Sequence, residues 1–289
     1  MKSRFTVITA VLILPILISC SKEENESGID IIFLHHSTGR IIYKGTSPSL
    51  VIKVAKRISP KLADKIDRRA RMPVLFRKHN RRYNTSYSIE EIEFPKKEPY
   101  GWKNYPYDYY NIWVKNAGIK PYLEEPTLEM LTQDYQVIIF KHCFPVSKIL
   151  PDQDTAIIDS EVKTISNYKL QYLALRDKLN EFDGTKFILF TGAALLETNL
   201  SEDEARRAKD FFKWVIDEWD LPGDNVYLWD LYNLQTEGGL YLKEEYAESS
   251  VNPHPNRLFA KKAVGLFFNR IIDVIENEGI TTSLSGEKK

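Results

Sequence analysis

Net charge is the first thing this sequence lacks: 40 Lys and Arg stand against 40 Asp and Glu in 289 residues. A near-neutral chain offers no electrostatic argument for a nucleic-acid partner. Phosphate-cradling loops are missing too, since no Gly-x-Gly-x-x-Gly and no Walker-type glycine run occurs. Metal-ligand spacing is absent as well. His35 and His36 are adjacent, so on a strand they point to opposite faces and cannot chelate together. One of them could meet His142 and Asp230 in space, but the spacing carries no metal signature. No cofactor and no metal is therefore expected. What is present, 43% hydrophobic and 28% charged residues, describes a globular chain long enough for one large α/β domain or two small ones.

The first nineteen residues read as a targeting segment rather than as part of the fold. Lys2 and Arg4 precede an apolar run from Phe5 to Ile18, which Pro15 interrupts. That run is too short and too broken for a comfortable membrane span. Its end, Leu17-Ile18-Ser19-Cys20, resembles the lipobox of bacterial lipoproteins. The resemblance implies cleavage before Cys20, a lipid-modified thiol, and anchoring in the cell envelope at the outer membrane. The alternative is an ordinary secretory signal with an incidental cysteine. Ser21-Lys22-Glu23-Glu24 is similar to the surface-export signal of lipoproteins in one Gram-negative phylum. With Cys20 acylated, Cys143 is the only thiol left and no intrachain disulfide can form.

Residues 20–29 read as a polar tether, 30–278 as a single domain, and 279–289 as a flexible polar tail. Ile31-Ile32-Phe33-Leu34 is a buried strand that runs directly into His35-His36-Ser37-Thr38-Gly39. Ser47-Pro48-Ser49 opens a helix with Leu50, Val51, Val54, Ala55 and Ile58 on its apolar face. From Lys53 to Arg82 twelve Lys and Arg meet only Asp64 and Asp67. This is either a solvated basic face or a patch for anionic glycan or lipid headgroups. A cap segment over about 48–126 includes residues 83–126, which lack clear periodicity. Tyr100 to Trp113 is half aromatic and either packs its rings over the core or offers stacking surfaces for sugars.

Further strands are expected at Tyr135–Phe140, Lys186–Thr191 and Asn225–Trp229. Helices alternate with them: one stopped by Gly184, one opened by the capping box Ser201-Glu202-Asp203-Glu204, and one from near Pro255 to Asn277. That alternation predicts an α/β fold, a three-layer α/β/α sandwich around a central parallel sheet. Ligands meet such sheets at the carboxyl ends of the strands. Ser37, Lys141, His142, Gly192 and Asp230 all follow expected strands, so all fall on that edge.

A serine needs a base to take its proton and donors to hold the resulting oxyanion. Ser37 supplies the hydroxyl, and its own N–H or that of Thr38, with Gly39 beside them, lies where the turn's donors are free. His254, fixed between Pro253 and Pro255 in a loop before the last helix, is the candidate base. Cys143 is the weaker nucleophile, because His142 neighbours it in sequence only.

A strand into a small-residue turn with Ser37, an α/β alternation, and His254-Pro255 before the last helix together resemble the SGNH (GDSL-type) serine hydrolases. The resemblance spans about residues 30 to 275. It implies a flavodoxin-like fold and ester hydrolysis by serine and histidine without a metal. Ser37 matches the nucleophile and His254 the base. The chain departs from the pattern where Gly-Asp-Ser becomes His35-His36-Ser37, and where the aspartate three residues before the histidine becomes Val251. Asp230, or less readily Asn252, is then left to orient His254. The oxyanion asparagine is missing after the strand ending at Lys141-His142-Cys143. Lys141, His142, Asn104 or Asn111 are the possible replacements. Two functions are therefore expected: an envelope-anchored serine esterase acting on acylated glycans, or a non-catalytic surface lipoprotein of the same fold that binds carbohydrate.

Overall fold

The computed structural model describes residues 28–46, 70–96, 98–100 and 103–289. The targeting segment, Cys20, most of the tether, the helix expected from Ser47, and Trp102 lie outside the described residues. The central sheet has five parallel strands: β1 (Ile29–His35), β2 (Tyr87–Glu93), β3 (Val137–Phe140), β4 (Lys186–Phe190) and β5 (Val226–Trp229). Their order is β2-β1-β3-β4-β5, the doubly wound flavodoxin-like arrangement, in which the order reverses between β1 and β3.

The layers follow from the side-chain period of two along each strand. Ile31, Phe33, Val137, Ile139, Ile188 and Phe190 face one core, under α1 (Ser37–Lys44), α2 (Arg71–Tyr83) and α8 (Arg257–Asn277). Ile32, Leu34, Ile138, Phe140, Phe187 and Leu189 face the other. There they meet α3 (Pro106–Tyr109), which continues as a π-helical turn over Tyr110–Lys115, and α4 (Leu128–Asp134). α5 (Ile165–Leu179) and α6 (Glu202–Trp214) complete that layer. Burial on both faces is why these strands read as continuous apolar runs.

Three differences from the sequence reading stand out, beside one choice between alternatives that the packing decides. The region 83–126 contains β2, an edge strand whose Glu90 and Glu91 broke the apolar pattern. Of the two readings of the aromatic segment, packing over the core is the one seen: Tyr100, Tyr105, Tyr109, Tyr110 and Trp113 are all buried. Leu258 points to solvent, and Phe259 takes its place on the inner face of α8, which starts at Arg257 with Asn256 as its cap.

The tail is not frayed. Asp273 of α8 accepts hydrogen bonds from the backbone N–H of Thr281 (3.0 Å) and Thr282 (2.8 Å) and from both of their hydroxyls. Further on, the carbonyl of Leu284 accepts from Asp230 N–H (3.0 Å) and that of Ser285 from Trp229 Nε1–H (3.0 Å). A carboxylate with four donors is the anchor that composition could not reveal.

Candidate active site

β1 ends at His35 and α1 begins two residues later, so Ser37 is the first residue of that helix, exposed at the rim of the sheet. Gly39 makes the tight exit possible. A Cβ at that position would sit 2.4 Å from Cβ of His35, so a side chain there would push α1 off the strand. His36 makes no side-chain cap. The N–H groups of Ser37, Thr38 and Gly39 therefore open the helix with no acceptor inside it, which is the usual anion-stabilising feature of a helix start.

The stretch expected as a loop around His254 is a strand instead. β6 (Ala247–Ser249) and β7 (Asn252–Pro255) form an antiparallel ribbon beside the sheet. On β7, positions 252 and 254 share a face. His254 Nε2 lies 2.8 Å from Ser37 Oγ, and its Nδ1 lies 2.7 Å from Asn252 Oδ1. The Asn252 amide is fixed in turn, its Nδ2 donating to Glu248 Oε2 at 3.0 Å. With the amide nitrogen spent on Glu248, Oδ1 must face the ring and accept from Nδ1–H. Nε2 is then left as the acceptor for the serine proton.

Asn252 therefore stands where Asp230 was expected. The Asp230 carboxylate accepts from Thr191 Oγ1 (2.7 Å) and from the N–H of Asn233 (3.2 Å), capping α7 (Leu231–Thr236) at the far side of β4. Glu248 was missed altogether. The signal was available in the i, i+2 spacing of Asn252 and His254, but two prolines made the segment read as a loop.

The remaining candidates fall in two groups. Thr38 and Gly39 belong to the α1 turn beside Ser37. Lys141, His142, Gly192, Asn104 and Asn111 do not reach the cleft wall. Lys141 is fully buried, with Nζ 3.9 Å from Cys143 Sγ. His142 is sealed between the rings of Tyr109 and Tyr172, with neither ring nitrogen hydrogen-bonded. Gly192 lies under the Phe212 ring. Asn104 donates to the carbonyl of Phe94 (2.7 Å) and takes Cys143 N–H on its own carbonyl (2.8 Å). Asn111 is engaged with Tyr100 and Tyr107. These residues hold the aromatic layer together and offer nothing to an oxyanion. The asparagine on the cleft wall is Asn199, whose Oδ1 is hidden without a hydrogen-bond partner.

The cleft has a volume of about 880 Å³ and opens between the ends of β1 and β3, where the strand order reverses. Ser37, His254, Cys143 and Phe144 all line it, and Tyr105 brings the aromatic segment to it. Phe144 meets the His254 ring edge-on at 5.2 Å. Burial raises the Cys143 thiol above its usual range, with Lys141 opposing it, and so disfavours a thiolate there.

Burial is also the main influence on His254 and lowers its imidazole below the ordinary value of 6.5; Glu248 pulls it back up and Lys141 pushes it further down. A base that stays neutral below pH 6.5 predicts a rate profile with a low acid limb. As pH falls, kcat/KM should hold through pH 6.5 and drop only at a lower midpoint. Steady-state rates between pH 4 and 8 check this; a midpoint at or above 6.5 would rule out the assignment of His254 as a buried base.

No protein-family model, no curated protein and no solved structure matches this chain. Among the described residues no group of histidine, cysteine and acidic side chains is arranged to hold a metal ion. No helix among them is long and apolar enough to cross a membrane.

Proposed function

We propose that this chain is a serine ester hydrolase of SGNH type, anchored in the cell envelope through a lipidated Cys20 and acting on an acylated glycan. The observation that carries the catalytic part is the relay Ser37 Oγ, His254, Asn252, with both contacts of the imidazole at 2.7–2.8 Å. The envelope address rests on sequence alone: Lys2 and Arg4, the apolar run to Ile18, Leu17-Ile18-Ser19-Cys20 and the Ser21-Lys22-Glu23-Glu24 that follows.

Ser37 Oγ attacks the ester carbonyl while Nε2 of His254 takes its proton. Negative charge on the tetrahedral carbonyl oxygen falls where the N–H groups of Ser37 and Thr38 open α1. The C–O bond to the alcohol then breaks, Nε2–H protonates the departing oxygen, and an acyl-serine remains. Water repeats the cycle: His254 takes its proton, the hydroxide adds to the acyl carbon, and Ser37 leaves with the proton returned. Asn252 holds the tautomer throughout. Being neutral, it stabilises the imidazolium less than a carboxylate would, and Glu248 supplies charge one hydrogen bond further away.

A fluorophosphonate probe reports on this chemistry without knowledge of the substrate. It should attach to Ser37, losing fluoride as Oγ bonds to phosphorus, and peptide mass mapping should find the adduct there. Labelling should vanish in Ser37→Ala and His254→Ala. Intact protein that resists the probe would overturn the proposal and favour the carbohydrate-binding reading.

A further inference from the structure

The walls of the cleft carry an excess of positive charge that the relay does not use. Four cations, Arg40, Lys103, Lys148 and Lys163, face the cavity against two carboxylates, Glu93 and Glu161. Glu93 is already ion-paired with Arg40. Lys103, Lys148 and Lys163 make no ion pair with any carboxylate among the described residues.

The three come from separate parts of the chain: the aromatic segment, the turn after β3, and the stretch leading into α5. Lys148 and Lys103 both act on the Lys163 ammonium. Lys163 is held below the ordinary lysine value by burial, then by Lys148, against Glu204, and then by Lys103. Glu204 acts on Lys163 and Lys148 from a distance without an ion pair to either, its carboxylate accepting from Ser201 N–H and Oγ, both at 2.9 Å, in the capping box of α6. Lysines left unpaired around a concave surface repel one another, and that repulsion is relieved when an anion enters. Surface lysines kept only for solubility have no reason to converge on the cavity that also holds the reactive serine.

We infer that the molecule bound in this cleft carries a negatively charged group, a carboxylate, sulfate or phosphate, seated on Lys103, Lys148 and Lys163. Resting on the esterase reading above, this makes the substrate an acylated anionic saccharide rather than a neutral one.

Four acetylated sugars test it: methyl glucoside, methyl glucuronoside, glucose 6-sulfate and glucose 6-phosphate, each carrying one acetyl ester, with acetate release followed. At least one charged ester should exceed the neutral one in kcat/KM by about tenfold, mainly through KM, given three partly exposed cations. The advantage should shrink as salt rises from 0.05 to 0.5 M. In the triple variant Lys103→Gln, Lys148→Gln, Lys163→Gln the charged-to-neutral ratio should fall to about two or less. Which charged ester wins separates carboxylate from sulfate and phosphate. Equal rates on all four sugars at low salt, or a preference that persists in the triple variant, would overturn the inference while leaving the serine esterase intact.

Calorimetric titration of the unmodified protein with the deacetylated sugars reads binding without turnover. Charged sugars that bind in the unmodified protein but not in the triple variant uphold the anion site even if no ester is cleaved. Failure of every charged sugar to bind, with no charged ester preferred, sinks it.

Discussion

Ser37→Ala is expected to lower kcat on any ester the chain hydrolyses by roughly 10³- to 10⁶-fold, with KM little changed. Ser37 is exposed, and among the described residues its hydroxyl is hydrogen-bonded to one side chain, His254. Its removal therefore leaves the fold undisturbed, and circular dichroism should show an unaltered melting curve. His254→Ala should cost a similar factor, and the double variant no more than either alone, because one proton transfer needs both groups. A double variant that falls by the product of the single losses would mean that the two side chains act independently, and the relay would have to be abandoned. Asn252→Ala should be milder, since it removes a positioning amide that touches no substrate atom.

The second large effect concerns stability. Asp273→Ala deletes the acceptor of four hydrogen bonds from Thr281 and Thr282. It also removes the carboxylate that lies 3.5 Å from the buried guanidinium of Arg270. That guanidinium is otherwise committed to the carbonyls of Leu228 (2.9 Å) and Gly279 (2.7 Å) and to Thr282 Oγ1 (3.3 Å). Stranding a buried cation and the two buried donors of Thr282 should cost about 3–5 kcal/mol, or a fall in Tm of about 10 °C for a domain of this size. Scanning calorimetry reads it directly. A drop of only a degree or two would show that the C-terminal segment is dispensable to the fold. Asp273→Asn, which keeps one acceptor oxygen, should fall between.

How much of this was legible in the residues depended on where each group's partners lie. Strands β1, β3, β4 and β5 announced themselves because both faces are buried, which turns them into apolar runs. β2 did not, because none of its seven side chains is fully buried and its identity comes from pairing with β1. Ser37 and His254 could be nominated because a strand exit and the approach to the last helix are positions, and position is what sequence order records. Orienting His254 was a matter of register on a strand that contains two prolines. Asp230 was the better acid on paper, but it is fastened to Thr191. Asn199, Lys148 and Lys163 reach the cleft through loops whose course no periodicity encodes. The C-terminal anchor depends on a carboxylate eight residues back along α8, hidden among ordinary polar positions.

If the proposed esterase reading holds, the base and its orienting amide ride on a two-stranded ribbon of which, among the described residues, only Ala247 joins a core cluster, while the nucleophile is built into the sheet's own exit. On that reading the base and the sheet, though not the nucleophile, are specified by nearly separate stretches of chain. A handful of changes within residues 247–255 would silence turnover and leave a sound vessel with its cleft open. A hydrolase and a lectin-like retainer are thus close neighbours in sequence space on this scaffold, and a lineage could cross between them without passing through an unfolded ancestor.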